Sequence, residues 1–185
     1  MKSNQAKVLQ RIGGISMLQR VLQTTTKLNS KSTVVLGHDK EGVLRHLQDI
    51  EGNISTVIQA NQLGTADAVK SAMKNTTSDE TILVLYGDVP LVSEKSLQEL
   101  IDKSENGFSI LTTHLDDPFG YGRVITDTNN FATAIVEEKD ASDDEKLINE
   151  IFTGILCINQ KLLAAGLQEI TNNNAAKEFY LTDLV

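Results

Sequence analysis

The sequence predicts an α/β protein, with a mostly parallel sheet carrying helices on both faces, continued by an α+β lobe. Three observations carry this prediction. Short β-branched or wholly apolar runs alternate with stretches of about ten residues whose apolar positions recur at three- and four-residue spacing, as doubly covered strands and amphipathic helices do. Strand and helix patterns take turns along the chain, which is the order of a parallel sheet with crossover helices. From residue 119 onward the texture changes to strands with little helix between them.

Each element has its own warrant. "MLQRVLQTTTKL" (17–28), "EGVLRHLQDI" (41–50), "GTADAVKSAMKN" (64–75) and "SEKSLQELIDKS" (93–104) read as helices, with Thr65 and Ser93 placed to cap the last two. "STVVLGH" (32–38), "ISTVIQ" (54–59), "TILVLYGD" (81–88) and "FSILTTHL" (108–115) read as strands between and after them. "GYGRVITD", "FATAIVEEKD" and "EIFTGILCIN" supply the strands of the second half. There is no internal repeat and no low-complexity linker.

Composition excludes several classes of function. A chain of 185 residues with 40% apolar residues is sized for one domain with a substantial core. The N-terminal "MKSNQAKVLQRIGG" lacks a signal-peptide core and no apolar run approaches a membrane span, so a soluble cytoplasmic protein is expected. A net charge of −8, with no basic stripe interleaved with aromatics, argues against polymeric nucleic acid as a partner. Small phosphorylated molecules stay open, because a few cations and backbone N–H groups can hold them locally. Cys157, the single cysteine, is expected to pack as a small buried hydrophobe. The three histidines, His38, His46 and His114, have no metal-ligand spacing and are expected to be structural.

Two stretches point to chemistry. In "LVLYGDVPL" (83–91) an apolar strand gives way to Gly87 and Asp88 before Pro90, at the strand end where open α/β sheets bind ligands. A carboxylate there suits a magnesium nucleotide, since Mg²⁺ takes one or two protein carboxylates together with phosphate oxygens; an ordinary turn with an Asx hydrogen bond is the alternative. In "QANQLGTADAV" (59–69) a strand end passes through Gly64 and Thr65 into a helix whose unpaired N–H groups favour an anion or a flat ring. The Gln59 amide carries a donor and an acceptor that match the imide edge of uracil. A solvated Gln59 and a plain N-cap at Thr65 are the alternative for this stretch.

The segments "AKVLQRIGGISML", "QANQLGTADAV", "LYGDVPL", "DDPFGYGRV", "AIVEEKDA" and "TNNNAAKEFYLTDL" occur in the order and approximate spacing of one family. Together they resemble the pyrophosphorylase domain of the bacterial bifunctional N-acetylglucosamine-1-phosphate uridylyltransferase / glucosamine-1-phosphate acetyltransferase. The resemblance implies a Rossmann-like fold of the nucleotide-diphospho-sugar transferase type, with residues 1–117 as nucleotide-binding half and 118–185 as sugar-binding half. It implies a Mg²⁺-dependent uridylyltransferase that forms UDP-N-acetylglucosamine and pyrophosphate from UTP and N-acetylglucosamine 1-phosphate. By the same resemblance Gln59, Gly64 and Thr65 hold uridine, Tyr86 and Gly87 lie along the nucleotide sugar, and Asp88 binds the metal. Lys7 places its ammonium on the phosphates, Gly122 offers its backbone to the sugar, Glu137 accepts a sugar hydroxyl, and Tyr180 and Thr182 lie near the sugar phosphate. Arg123 and Glu138 are left as ordinary surface charges.

The sequence also departs from the family. The family's glycine-rich "AAGxGTRM" loop and first strand precede the lysine element, and its second metal ligand, a distant asparagine, follows the region matched here. The β-helix that carries acetyl transfer and trimerisation is not part of the sequence. The chain is therefore expected to be a domain truncated at both ends, weakly stable and weakly active alone. Ala6 stands where the family has proline, and Phe152 in "EIFTG" stands where it has a sugar-contacting asparagine, so sugar recognition is expected to differ in detail.

Overall fold

A computed structural model describes residues 5–77 and 79–185. A 3₁₀ turn at Lys7–Leu9 leads into a small antiparallel hairpin of β1 (Arg11–Ile12) and β2 (Ile15–Ser16). Then come α1 (Met17–Lys27), β3 (Ser32–Leu36), α2 (Lys40–Leu47), β4 (Ile54–Ile58), α3 (Thr65–Ala72), β5 (Thr81–Val84), α4 (Glu94–Asp102) and β6 (Phe108–His114). The second half contributes β7 (Arg123–Thr126), β8 (Ala132–Val136), β9 (Glu150–Asn159) and α5 (Gln160–Glu169). Every helix and strand expected from periodicity is present, with ends moved by a few residues.

The helix starts follow local chemistry. Ser16 caps α1 by accepting the Gln19 N–H at 3.0 Å, and the same hydroxyl meets His46 Nε2 at 2.7 Å, which gives that histidine a structural role. Ser93 caps α4 as expected, accepting the Ser96 N–H at 3.0 Å. Thr65 does not cap α3. Gly64 occupies the cap position and Thr65 is the first helical residue, with its hydroxyl turned to another segment.

The sheet is mixed, and its parallel share is smaller than the alternation suggests. β3 and β4 pair in parallel as a two-stranded unit. The five-stranded sheet joins β5, β6, β7, β8 and β9 through antiparallel pairs alone. The cause is β9, a ten-residue strand from the second half that inserts beside β5. Its register shows how the sheet is organised. Ile158 faces both Ile82 and Phe108, and Ile151 faces both Arg123 and Thr113, so β6 takes one edge of β9 while β5 and β7 share the other.

Three apolar clusters fill the interior. One joins Val124, Ile135, Phe152, Leu156 and Leu181 with Leu163 and Leu167 of α5. A second packs Leu18 and Leu22 of α1 against Leu36 and Val43. The third holds Leu97 and Leu100 of α4 against Ile155 and Cys157. Cys157 is fully buried, and burial pushes its thiol above the ordinary range, as expected of a packing residue.

Candidate functional site

Strand β5 ends at Val84, four residues earlier than periodicity suggests, and Tyr86 to Val89 form a turn closed by the Val89 N–H donating to the Tyr86 carbonyl at 3.2 Å. Asp88 sits in this turn. Its carboxylate accepts from Lys7 Nζ at 2.6 Å, and this bond with the charge of Asp88 raises the lysine above its usual range. The contact exists because the 3₁₀ turn of Lys7 lies on the 86–89 turn: a methyl built on Gly87 would come within 3.1 Å of Val8. Among the described residues, no other hydrogen bond of the Asp88 side chain accompanies it.

Tyr86 points the other way, into the split edge of β9. Continuing the β5–β9 register past its last pair places residue 86 opposite residue 154. Gly154 has φ +85, and a Cβ there would lie 1.9 Å from the tyrosine ring, so only glycine fits. The β6–β9 register also shifts between Ile110 and Thr112, opposite this glycine. Burial raises the Tyr86 phenol above its usual range, Glu137 and Asp88 add to the rise, and Thr65 opposes it. Gly154 is a site residue that the sequence reading missed. A glycine inside an otherwise apolar strand was the available signal.

The start of α3 is clamped by the segment 179–182. Gly64 has φ +125, and a Cβ would fall 2.5 Å from the Phe179 carbonyl oxygen. The Phe179 N–H donates to the Leu63 carbonyl at 2.8 Å, the Ala66 N–H to the Phe179 carbonyl at 2.9 Å, and the Leu181 N–H to Thr65 Oγ1 at 2.9 Å. These bonds correct the expectation of a helix end whose N–H groups are all unpaired: the protein itself takes the Ala66 N–H. Gln59, at the end of β4, donates from Nε2 to the Gly64 carbonyl at 3.1 Å and to Asp67 Oδ2 at 2.7 Å.

The second half adds the remaining groups. Glu137 follows β8 and accepts from Thr182 Oγ1 at 3.1 Å. Burial raises its carboxyl above the usual range, the Thr182 bond opposes this, and Asp140, Asp183 and Glu178 add to the rise. Gly122 lies under the same carboxylate, 3.6 Å from Oε2 to a built Cβ and 2.8 Å from Ile135. Tyr180 is half-buried; burial, with Asp140 and Glu137, raises its phenol. Direct contacts thus join Lys7 with Asp88, Gln59 with Gly64, Thr65 with Leu181, and Glu137 with Thr182 and Gly122, while Tyr86 packs on Gly154, Gly87 on Val8, and Tyr180 lies in the 179–182 segment that clamps α3. Two surface hollows elsewhere, one lined by Leu9, Arg11 and Arg45 and one by Arg20, Lys27 and Pro90, contain none of these residues.

One expectation changes. Arg123 and Glu138 are not ordinary surface charges: Arg123 is 2% exposed, donates to the Tyr121 carbonyl, and meets Glu138 Oε2 at 2.7 Å. Glu138 also accepts the Gly120 N–H at 3.1 Å, and the arginine bond followed by this one holds its carboxyl below the usual range. The pair staples the 118–122 loop to the end of β8. Phe152 is 6% exposed and packs in the apolar cluster with Val124, Ile135 and Leu181. Its backbone N–H donates to the Gly122 carbonyl at 2.9 Å, directly beneath the loop.

The chain is 44% identical over 186 residues to the bifunctional protein GlmU of Neisseria meningitidis serogroup B and 45% identical over 186 residues to that of serogroup C. It spans 40% of the length of each relative. Its fold is similar to that of HddC from Yersinia pseudotuberculosis, with a TM-score of 0.71 at 17% identity, covering 98% of this chain and 76% of that one. It is similar also to apo UDP-glucose pyrophosphorylase, with a TM-score of 0.73 at 14% identity, covering 96% and 77%. These likenesses agree with the α/β nucleotidyltransferase fold and with the resemblance drawn from the motifs. The family model of the MobA-like NTP transferase domain matches residues 1–178, and the chain belongs to that family.

Proposed function

We propose that this chain is a sugar-1-phosphate nucleotidyltransferase domain that forms UDP-N-acetylglucosamine and pyrophosphate from UTP and N-acetylglucosamine 1-phosphate. The observation that carries the reading is the docking of the second half on the start of α3: Gln59 holds the Gly64 turn, Thr65 accepts from the Leu181 N–H, and Thr182, next to Leu181, donates to Glu137. Identity of 44% over the whole chain to bifunctional GlmU supports the substrate pair.

The reaction needs no protein nucleophile. An oxygen of the sugar phosphate attacks the α-phosphorus of UTP in line and pyrophosphate leaves, so the protein contributes position and charge. Lys7 supplies the cation nearest the phosphates and is 64% exposed, free to swing from Asp88 to an incoming anion. Gln59 and the Gly64 turn hold the base. Glu137, its carboxylate already accepting one hydroxyl, accepts another from the sugar, while the Gly122 backbone lines the ring and Tyr180 and Thr182 border the sugar phosphate.

The donor set fits Mg²⁺ only in company with the nucleotide. Asp88 is a single hard carboxylate, a third exposed, and the described residues hold no cluster of three or more His, Cys, Asp or Glu. Asp88 would hold the ion with phosphate oxygens completing its shell, and the ion would neutralise charge on those oxygens. Calorimetry is therefore expected to give no Mg²⁺ binding to the chain alone and clear binding once UTP is present. Tight binding of Mg²⁺ without nucleotide would contradict this assignment of Asp88.

Pyrophosphate release with UTP, Mg²⁺ and N-acetylglucosamine 1-phosphate tests the reaction. Asp88→Asn is expected to lower kcat by roughly 10²-fold or more. UDP-N-acetylglucosamine binding without turnover would instead indicate a nucleotide-sugar binder. Phe152 favours a second reading, a related enzyme for another sugar, because its ring is buried in the apolar cluster and offers no hydrogen bond to an acetamido group. A panel of sugar 1-phosphates separates the two. No helix among the described residues is long and apolar enough to cross a membrane.

A further inference from the structure

We infer that Asp67 is a positioning residue for base selection: it fixes the Gln59 carboxamide with its oxygen toward the ligand, so that the site selects a base whose ring nitrogen carries a hydrogen. This rests on the reading of Gln59 as the base-contacting residue and adds to it the origin of the preference.

A primary amide has two N–H donors and one acceptor oxygen. Both donors of Gln59 are engaged, one by the Gly64 carbonyl at 3.1 Å and the other by Asp67 Oδ2 at 2.7 Å. Neither partner can donate. Turning the amide over would set its oxygen against a peptide carbonyl and a carboxylate, losing both bonds and adding repulsion, so the partners alone decide the orientation. The backbone around them is fixed as well. The Gln59 N–H donates to the Leu36 carbonyl at 2.9 Å, which continues the β3–β4 ladder, and Gly64 is held by Phe179. Asp67 is in the first turn of α3, where the helix dipole favours its negative charge.

The sequence reading assigns Gln59 a donor and an acceptor for uracil. The structure leaves it the acceptor only. An outward oxygen pairs with the N3–H of uracil, whereas the N3 of cytosine brings a lone pair to the same place and is repelled. Asp67 therefore acts through Gln59 and need not touch the nucleotide. Of its two bonds, that of the charged acceptor is the shorter, so removing Asp67 leaves the amide tied at one hydrogen and better able to turn.

Calorimetric titration of the full chain with UDP and with CDP tests this. The unsubstituted chain is expected to prefer UDP by roughly tenfold or more. Asp67→Ala is expected to lower that ratio about fivefold, chiefly by improving CDP, and Asp67→Asn, whose carbonyl still accepts from Gln59, to keep it within about twofold. An Asp67 that served only to stabilise α3 would weaken both nucleotides alike, and an unchanged ratio in Asp67→Ala with UDP still bound overturns the inference while leaving the nucleotide site standing. Failure of the unsubstituted chain to bind either nucleotide would overturn the functional reading itself, and the inference with it.

Discussion

Gly154 and Glu137 show how single residues set the site. A methyl at 154 would meet the Tyr86 ring at 1.9 Å and would occupy a left-handed backbone conformation that alanine resists. Gly154→Ala is therefore expected to destabilise the chain by about 2–4 kcal/mol, from overpacking and backbone strain together, and urea unfolding measures it. The same change should displace the Tyr86 ring and weaken nucleotide-sugar binding. Glu137 gives a pH-dependent expectation. Its folded pKa lies above the ordinary 4.5 because the group is buried. Between that ordinary value and the raised one, the folded state keeps a proton that the unfolded state has lost, so this group's contribution falls as pH rises and its penalty is complete above the raised value. Glu137→Gln should then gain stability relative to the parent as pH rises toward neutral, with no gain below about pH 4. A constant difference across pH would contradict the buried charge. Gln59 and Asp88 were legible as candidates because each follows a strand-like run in the sequence, and Glu137 through the family resemblance. Gly154 was not, since what demands glycine there is a ring from a segment almost seventy residues earlier, reached only through the β5–β9 pairing.

On the proposed function, sugar recognition rests on the 118–122 loop, which is held by side chains rather than by a ladder. Arg123 joins the Tyr121 carbonyl to Glu138, and Glu138 in turn holds the Gly120 N–H. Gly122 is thereby kept against Glu137, while Phe119 stays exposed. Lysine at 123 would keep the charge but not the fork that reaches both partners. Arg123→Lys is expected to raise the KM for the sugar phosphate roughly tenfold, through misplacement of Gly122, with a much smaller change for UTP. Equal effects on both substrates would point to general loosening instead. An exposed-looking "GYGR" and "EEKD" gave no sign of this pairing, because β7 and β8 bring Arg123 and Glu138 together only once the hairpin forms. Helices α1 to α4, by contrast, were legible to within a few residues at each end, since their spacing and the Ser93 cap are local signals, whereas α5 was not read from the sequence.

At the scale of the whole molecule, the β3–β4 pair and the five-stranded sheet differ in what covers them. β9 is paired along both edges and contributes Ile155 to Ile158, each 3% exposed or less. β3 pairs with β4 alone among the described residues, and four of its five residues are only half-buried although its sequence is that of a doubly covered strand. β5 likewise pairs with β9 alone, and its apolar residues Ile82, Leu83 and Val84 are half-buried. Reading "STVVL" and "TILV" as central strands was sound about their hydrophobicity, but pairing depends on partners that a run of residues does not name. Unequal stability across the fold follows, because local opening is easiest where apolar contacts and paired edges are fewest. Amide hydrogen exchange is expected to be slowest at Leu156 to Ile158 and at least about tenfold faster at Val34 and Val35. Binding of UDP-N-acetylglucosamine should narrow that gap, since Gln59 continues the β3–β4 ladder through Leu36 and so passes ligand binding on to it. Uniform protection of both sheets in the free chain would show that β3 and β4 are as firmly held as the rest, and the expected dependence of their stability on nucleotide would then fail.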